Sequence, residues 1–167
     1  DMAGTTVQSA EQVVPAFVDA LARFGLPFSA AGIGSVRGAS KRDAIEQLML
    51  RYVPEQATKE TIDATFEAFK ANLAARQQHE GVGPVDGAEH VFAWLRARGI
   101  KVALATGFDR QSTDRVLGSL RWKTGVVDAV VSADDVVAGR PAPYLIFRAM
   151  ELTRSTRVAH VVVVGDT

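Results

Sequence analysis

The chain has 167 residues with 19 basic and 19 acidic side chains, so its formal net charge is zero, which excludes a nucleic-acid binder driven by bulk charge. Hydrophobic residues make up 47% and charged residues 23%, the proportions of a folded protein of one domain, or of a small domain carrying an inserted one. There are no cysteines, which excludes a disulfide scaffold, thiol catalysis and cysteine-ligated metal sites, and no run approaches the ~20 apolar residues of a membrane span. A soluble, cytoplasmic protein with neither nucleic acid nor membrane as partner is therefore expected. The chain opens on Asp1 without an initiator Met and stops just after the apolar run Val161-Val162-Val163-Val164, which reads as an internal segment truncated at both ends.

In chain order, residues 9–78 follow the helical period. Val14, Phe17, Val18 and Leu21 form one apolar stripe, Ile45, Leu48 and Met49 a second, and Ile62, Phe66, Phe69 and Leu73 a third. Pro15 predicts that the first helix starts late or kinks. Breaks fall at Gly25 with Pro27, in the glycine-rich segment 31–38, and at Pro54.

After Gly81-Val82-Gly83-Pro84 the pattern alternates. Helices are predicted near residues 88–98, 110–120 and 143–152, and strands near 100–105, 129–132 and 158–164. Short, nearly all-apolar strands separated by helices indicate an α/β, doubly wound parallel sheet covered on both faces. The division expected is residues 1–8 as the first loop of the core, 9–82 as an inserted all-helical cap domain, and 83–167 as the α/β core. In such sheets ligands bind at the carboxyl edge of the strands. That edge is where Thr106-Gly107, Arg140 and Gly165-Asp166 fall, joined by the loop from Asp1.

Each of these residues has a chemical and a plain reading. Asp1, followed by the turn-forming Ala3-Gly4-Thr5-Thr6, is a carboxylate able to accept a phosphoryl group, or the start of an ordinary turn. Thr106 and the Gly107 amide suit a phosphoryl oxygen, or a helix cap. Arg140 precedes a helix start, where the dipole is already positive, so an anion between them would resolve the conflict. Asp166 could share a hard cation with Asp1, or end a strand. His79 and His90 read as surface residues and His160 as a strand packing residue.

The order of these signals, Asp-x-Ala-Gly-Thr, a helical insert, a strand ending in Thr-Gly, Gly-Arg-Pro, then an apolar strand ending in Gly-Asp-Thr, resembles the haloacid dehalogenase superfamily. Two positions narrow the resemblance to its phosphonatase-like (phosphonoacetaldehyde hydrolase-like) members: Ala3 where phosphatases carry a second Asp, and Arg140 where they carry Lys. The resemblance implies a cap lysine that forms an imine (a Schiff base) with the substrate carbonyl, and Gly38-Ala39-Ser40-Lys41 matches that segment, making Lys41 the counterpart. The residues agree, since Ser40 and Asp43 form a helix-capping pair that sets Lys41 in a first turn, where the positive helix end, Arg37 and Arg42 favour the neutral amine.

The implied activity is Mg²⁺-dependent hydrolysis of the C–P bond of a 2-oxoalkylphosphonate. Asp1 and Lys41 would be catalytic, and an aspartyl-phosphate would form at Asp1. Thr106, Gly107, Arg140 and Arg37 would bind substrate, and Asp1, the Ala3 carbonyl and Asp166 would hold the metal. The alternatives are a phosphomonoester hydrolase or phosphomutase of the same superfamily, and a catalytically inactive phosphate-ligand binding module. Two departures from phosphonatase, Ala44 in place of a His and Arg37 in place of an apolar Met, bear on proton transfer and on substrate identity. Arg37 leads to the expectation of a larger, more anionic oxo acid. Relatives of this kind also suggest a homodimer through cap helices, for which the first apolar stripe is a candidate.

Overall fold

The computed structural model describes residues 1–24, 33, 36 and 38–166. The chain leaves the Asp1 loop through a short strand β1 (Val7–Gln8), which pairs antiparallel with β2 (Gly83–Pro84) in the register Val7 to Pro84 and Gln8 to Gly83. The two crossing points into and out of the helical segment are thus tied side by side.

Between them lie α1 (Ala10–Leu21), α2 (Lys41–Tyr52) and α3 (Lys59–Glu80). α1 runs continuously through Pro15 rather than starting late; the ring removes one hydrogen bond from a helix that packing holds along its length. Phe17 of α1 meets Phe69 of α3 with ring centroids 4.4 Å apart, and Arg76 pairs with Asp19 at 2.6 Å. Ile45, Leu48 and Met49 of α2 and Ile62, Phe69 and Leu73 of α3 are all buried in the same cluster, as their periodicity requires. Burying side chains of this size is worth about 1.5–3 kcal/mol each. One member of the first predicted stripe departs from it: Val18 is 36% exposed while Ala20 takes a buried place. With Phe17 and Leu21 inside the cluster, Val18 is what that stripe leaves on the surface.

α3 is started by a capping box in which Thr58 and Thr61 satisfy one another's amides, and Gly81, at φ 81°, ends it. The remainder alternates: α4 (Ala88–Arg96), β3 (Ala103–Ala105), α5 (Arg110–Ser119), β4 (Ala129–Val131) and α6 (Tyr144–Thr153). β3 and β4 are parallel, Ala103 facing Ala129 and Ala105 facing Val131, with α5 as the crossover between them. A second buried cluster of Met2, Val7, Phe92, Leu104, Val116 and Trp122 fills this half. Trp122 stacks edge-on against Phe92 at 5.3 Å and donates its indole N–H to Glu89 at 2.6 Å.

The sheet is shorter than predicted at two places. Ile100, Lys101 and Val102 fall outside β3, and the Val102 amide donates to the Asp128 carboxylate at 2.9 Å rather than to a strand neighbour. Residues 158–164 do not form a ladder strand: Val158–His160 is a 3₁₀ turn, His160 is exposed, and Val162 is 87% exposed. A strand is held by a neighbour's amides and carbonyls. Beyond the local bonds of that turn, the Asp1 nitrogen donates to the Val164 carbonyl at 2.9 Å. His79 and His90 are exposed. No described helix is long and apolar enough to cross a membrane.

Candidate active site

Seven residues singled out from sequence, Asp1, Ala3, Lys41, Thr106, Gly107, Arg140 and Asp166, line one cavity of about 70 Å³. Arg37 lies outside the described residues.

The Asp1 carboxylate is only 10% exposed and is held from two directions. Its own loop supplies one, the Met2 amide donating to Oδ1 at 2.7 Å, while the Thr6 hydroxyl donates to the Asp1 carbonyl at 3.0 Å. Arg140 supplies the other, its two terminal nitrogens reaching Oδ2 at 3.0 Å and Oδ1 at 3.4 Å, and its Nε donates to the Gly38 carbonyl at 2.9 Å. Burial draws the guanidinium below its ordinary pKa and the nearby Asp166 charge opposes that pull, so the group stays a cation. The sequence argument asked for an anion beside Arg140, and the structure supplies the Asp1 carboxylate.

Lys41 is the first residue of α2. Ser40 caps this helix by accepting from the Asp43 amide at 3.1 Å, as the Ser40/Asp43 spacing predicts. The Lys41 amide donates to the Gly107 carbonyl at 3.2 Å, and Nζ lies 5.5 Å from the centre of the Phe108 ring. Gly107 has to be glycine for this approach, since a Cβ there would stand 2.7 Å from the Ala39 carbonyl oxygen. Gly139 comes almost as near to the Ser40 backbone. The loops after β3 and before α6 therefore both close on the start of α2. Arg42 turns to Asp63 at 2.7 Å and to Glu46, so these carboxylates compensate its charge.

Thr106 is buried, and its hydroxyl accepts from the Phe108 amide at 3.2 Å; the cap of α5 is Asp109, which accepts from the Ser112 amide at 2.6 Å. The Asp166 carboxylate accepts from the Thr5 hydroxyl at 3.3 Å and lies where a side chain on Gly4 would project. Gly4 has φ 86°, and a Cβ on it would come within 2.5 Å of Asp166 Oδ2.

Sequence reasoning passed over Phe108, the Gly38 carbonyl and the apolar lining from Val13, Val14, Phe17, Ile33 and Val36. For Phe108 a signal existed, since it directly follows the Thr-Gly pair; the others are brought in from distant elements.

A family model described as haloacid dehalogenase-like hydrolase matches residues 1–167. The chain belongs to that family. Among curated relatives it is 32% identical over 142 residues to a phosphonoacetaldehyde hydrolase of Bacillus cereus, covering 84% of this chain and 53% of the relative. To the phosphonoacetaldehyde hydrolase of Bordetella pertussis it is 32% identical over 177 residues, covering 100% of this chain and 64% of the relative. The chain thus spans between about half and two thirds of the length of these haloacid dehalogenase-like relatives. Among solved structures, a phosphonoacetaldehyde hydrolase-like protein from Oleispira antarctica superposes with a TM-score of 0.79 at 23% identity, over 95% of this chain and 60% of that one. A hydrolase from Pseudomonas syringae gives 0.81 at 24%, over 98% and 73%. Both share the haloacid dehalogenase-like α/β fold.

Proposed function

We propose that this chain carries the catalytic core of a hydrolase that cleaves the C–P bond of a 2-oxoalkylphosphonate. The observation that supports this most is the convergence of Lys41 and Asp1 on one cavity, an amine and a carboxylate brought together from the start of α2 and the first loop. Similarity to phosphonoacetaldehyde hydrolases over 84–100% of the chain points the same way. We take residues 1–8 and 83–167 as core and 9–82 as cap, a division supported by the β1–β2 pairing at both crossing points.

In this reading the neutral Lys41 amine adds to the substrate carbonyl, water leaves, and the imine nitrogen takes up a proton from solvent to give a protonated imine. Asp1 then attacks phosphorus. As its oxygen bonds to phosphorus the C–P bond breaks, and that electron pair moves into the imine to give an enamine. Water cleaves the aspartyl-phosphate to release phosphate, while the enamine takes a proton on carbon and water frees the carbonyl product from Lys41. A carbon leaving group delocalised in this way needs no acid to protonate it, in keeping with Ala3. Arg140, Thr106 and the Gly107 amide hold the phosphoryl oxygens.

Asp1, Asp166 and the Ala3 carbonyl are the residues that would hold Mg²⁺, and they fit it. The donors are hard oxygens, and Gly4 leaves room for the Asp166 carboxylate against the Asp1 loop. When bound, Mg²⁺ would neutralise charge on the phosphoryl oxygens.

Borohydride trapping tests the reading. Incubation of the full-length protein with a 2-oxoalkylphosphonate and borohydride should leave a reduced adduct on Lys41, and Lys41→Arg should abolish both adduct and phosphate release. Phosphate release from phosphomonoesters with no Lys41 adduct would support the phosphomonoesterase or phosphomutase alternative instead.

A further inference from the structure

We propose that a groove at the two crossing points of the helical segment binds a small primary alkylammonium ion, at a place separate from the Asp1–Lys41 cavity. The inference does not depend on the C–P hydrolase reading. The groove has a volume of about 810 Å³, within the range of small-molecule sites. It is lined by the start of α1, the end of α3, the β1–β2 pair and, through Gly4, the Asp1 loop. Ser9 shows what the groove asks for. It stands at the N-cap of α1, where a serine side chain ordinarily accepts from an amide of the first turn, yet it makes no such bond. Ser9 is 2% exposed and Gln12 7%, and neither the Ser9 hydroxyl nor Gln12 Oε1 has a hydrogen-bond partner among the described residues. The other end of the Gln12 amide is spent, Nε2 donating to the Gly81 carbonyl at 3.0 Å, so what remains is an acceptor. Buried polar atoms without partners are rare in folded proteins, and these two residues line one groove.

The charge points the same way. Glu11 and Glu80, both exposed, are the charged residues among the described lining. Glu80 ends α3, where the helix dipole is negative, and Arg76 comes only to 3.9 Å from it while holding Asp19 at 2.6 Å. Glu11, in the first turn of α1, offsets the positive end of that helix. The groove thus offers two carboxylates, a hydroxyl and an amide oxygen, all able to accept a hydrogen bond. A bare metal ion needs oxygens closed around it at about 2.0–2.6 Å, which a groove of this volume does not provide. An alkylammonium ion suits it better, because three N–H groups donate to such oxygens while the alkyl chain covers Val82 and Val85. In the complex the Ser9 hydroxyl turns about its single side-chain torsion toward the ammonium group and gains the partner it lacks.

The test is calorimetric titration of the full-length protein with 1-aminobutane, 1,4-diaminobutane, 1-butanol, K⁺ and Mg²⁺, at about 0.15 M salt so that diffuse attraction is screened. At least one amine should bind saturably with a Kd below about 1 mM, and uncharged 1-butanol should not bind. Replacing both carboxylates, Glu11→Gln with Glu80→Gln, should weaken amine binding about tenfold or more, and Ser9→Ala about threefold or more. The two carboxylates are exposed and the Ser9 hydroxyl caps nothing, so thermal melts should show these variants folded. Glu67→Gln, on α3 but outside the groove, should leave the affinity unchanged. Absence of saturable amine binding overturns the inference, and so does binding that the Glu11, Glu80 and Ser9 changes leave intact. Amine binding lost in Asp166→Asn but kept in the Glu11/Glu80 variant would place the ligand in the Asp1 cavity and overturn it as well. Binding of K⁺ or Mg²⁺ that depends on Glu11 and Glu80 and excludes the amines would overturn the ligand class.

Discussion

Arg140 and Asp1, 139 positions apart in sequence, form a two-pronged contact in which the guanidinium grips both oxygens of the carboxylate while its Nε is anchored on the Gly38 carbonyl. The anchor fixes the direction of the fork, and the two terminal nitrogens can be shared between the Asp1 carboxylate and a phosphoryl group bonding to it. Lysine cannot reproduce this, being a point charge without planar geometry. Arg140→Lys is expected to lower kcat/KM for phosphate release by about 10²-fold or more, the usual effect of removing a positioned donor. A change of less than threefold would remove Arg140 from phosphoryl binding.

Gly107 is the point where the loop after β3 touches the start of α2. Gly107→Ala forces a methyl to 2.7 Å from the Ala39 backbone oxygen, which no side-chain rotation relieves. Overpacking of this kind costs about 1–3 kcal/mol. Because the displaced backbone carries Lys41, thermal melts should show a stable but weakened protein whose kcat/KM falls further than its stability predicts. Wild-type turnover in the variant would mean that Lys41 does not depend on this contact.

The Asp128 carboxylate is held below the usual carboxylate range, chiefly by the Val102 amide; burial opposes this, and Lys101 and Arg96 add to the lowering. A depressed carboxylate stabilises the fold at pH values above its unfolded pKa, near 3.9, and that contribution is lost as pH falls through the lower folded value. Asp128→Ala is expected to cost about 1–3 kcal/mol at pH 7. In urea titrations the gap between wild type and variant should be constant from pH 7 to about 5 and shrink below about 4. A gap independent of pH down to 3 would assign the effect to packing alone.

The two tryptophans should respond differently to the same change. Trp122 is 1% exposed and bonds Glu89, whereas Trp94 is 48% exposed and lies under the Arg98 guanidinium at 3.9 Å. Trp122→Phe removes a buried bond and leaves space, with an expected loss of about 1–3 kcal/mol. Trp94→Phe should stay within about 0.5 kcal/mol of wild type by urea unfolding. Equal losses would mean that the Phe92–Trp122 contact is not central to that cluster.

Much of this molecule was determined by sequence alone, where the cause is local. Helical periodicity marked Ile45, Leu48, Met49, Ile62, Phe69 and Leu73 as buried, and short-range capping chemistry set Lys41 at the start of α2. The order of Asp1, Lys41, Thr-Gly, Arg140 and Asp166 indicated the haloacid dehalogenase-like family. What tertiary structure decided has no period to announce it. The Arg140 fork on Asp1, the Nε bond to a carbonyl 102 positions away, and the Ala39–Gly107 approach depend on how separate elements close on one another. The same is true of the valine run at 161–164, whose composition reads as a strand although backbone pairing needs a neighbour that composition cannot supply. Val13, Val14 and Phe17 belong to an ordinary amphipathic stripe in sequence, and only the packing of α1 beside Phe108 and Lys41 makes them a wall of the cavity.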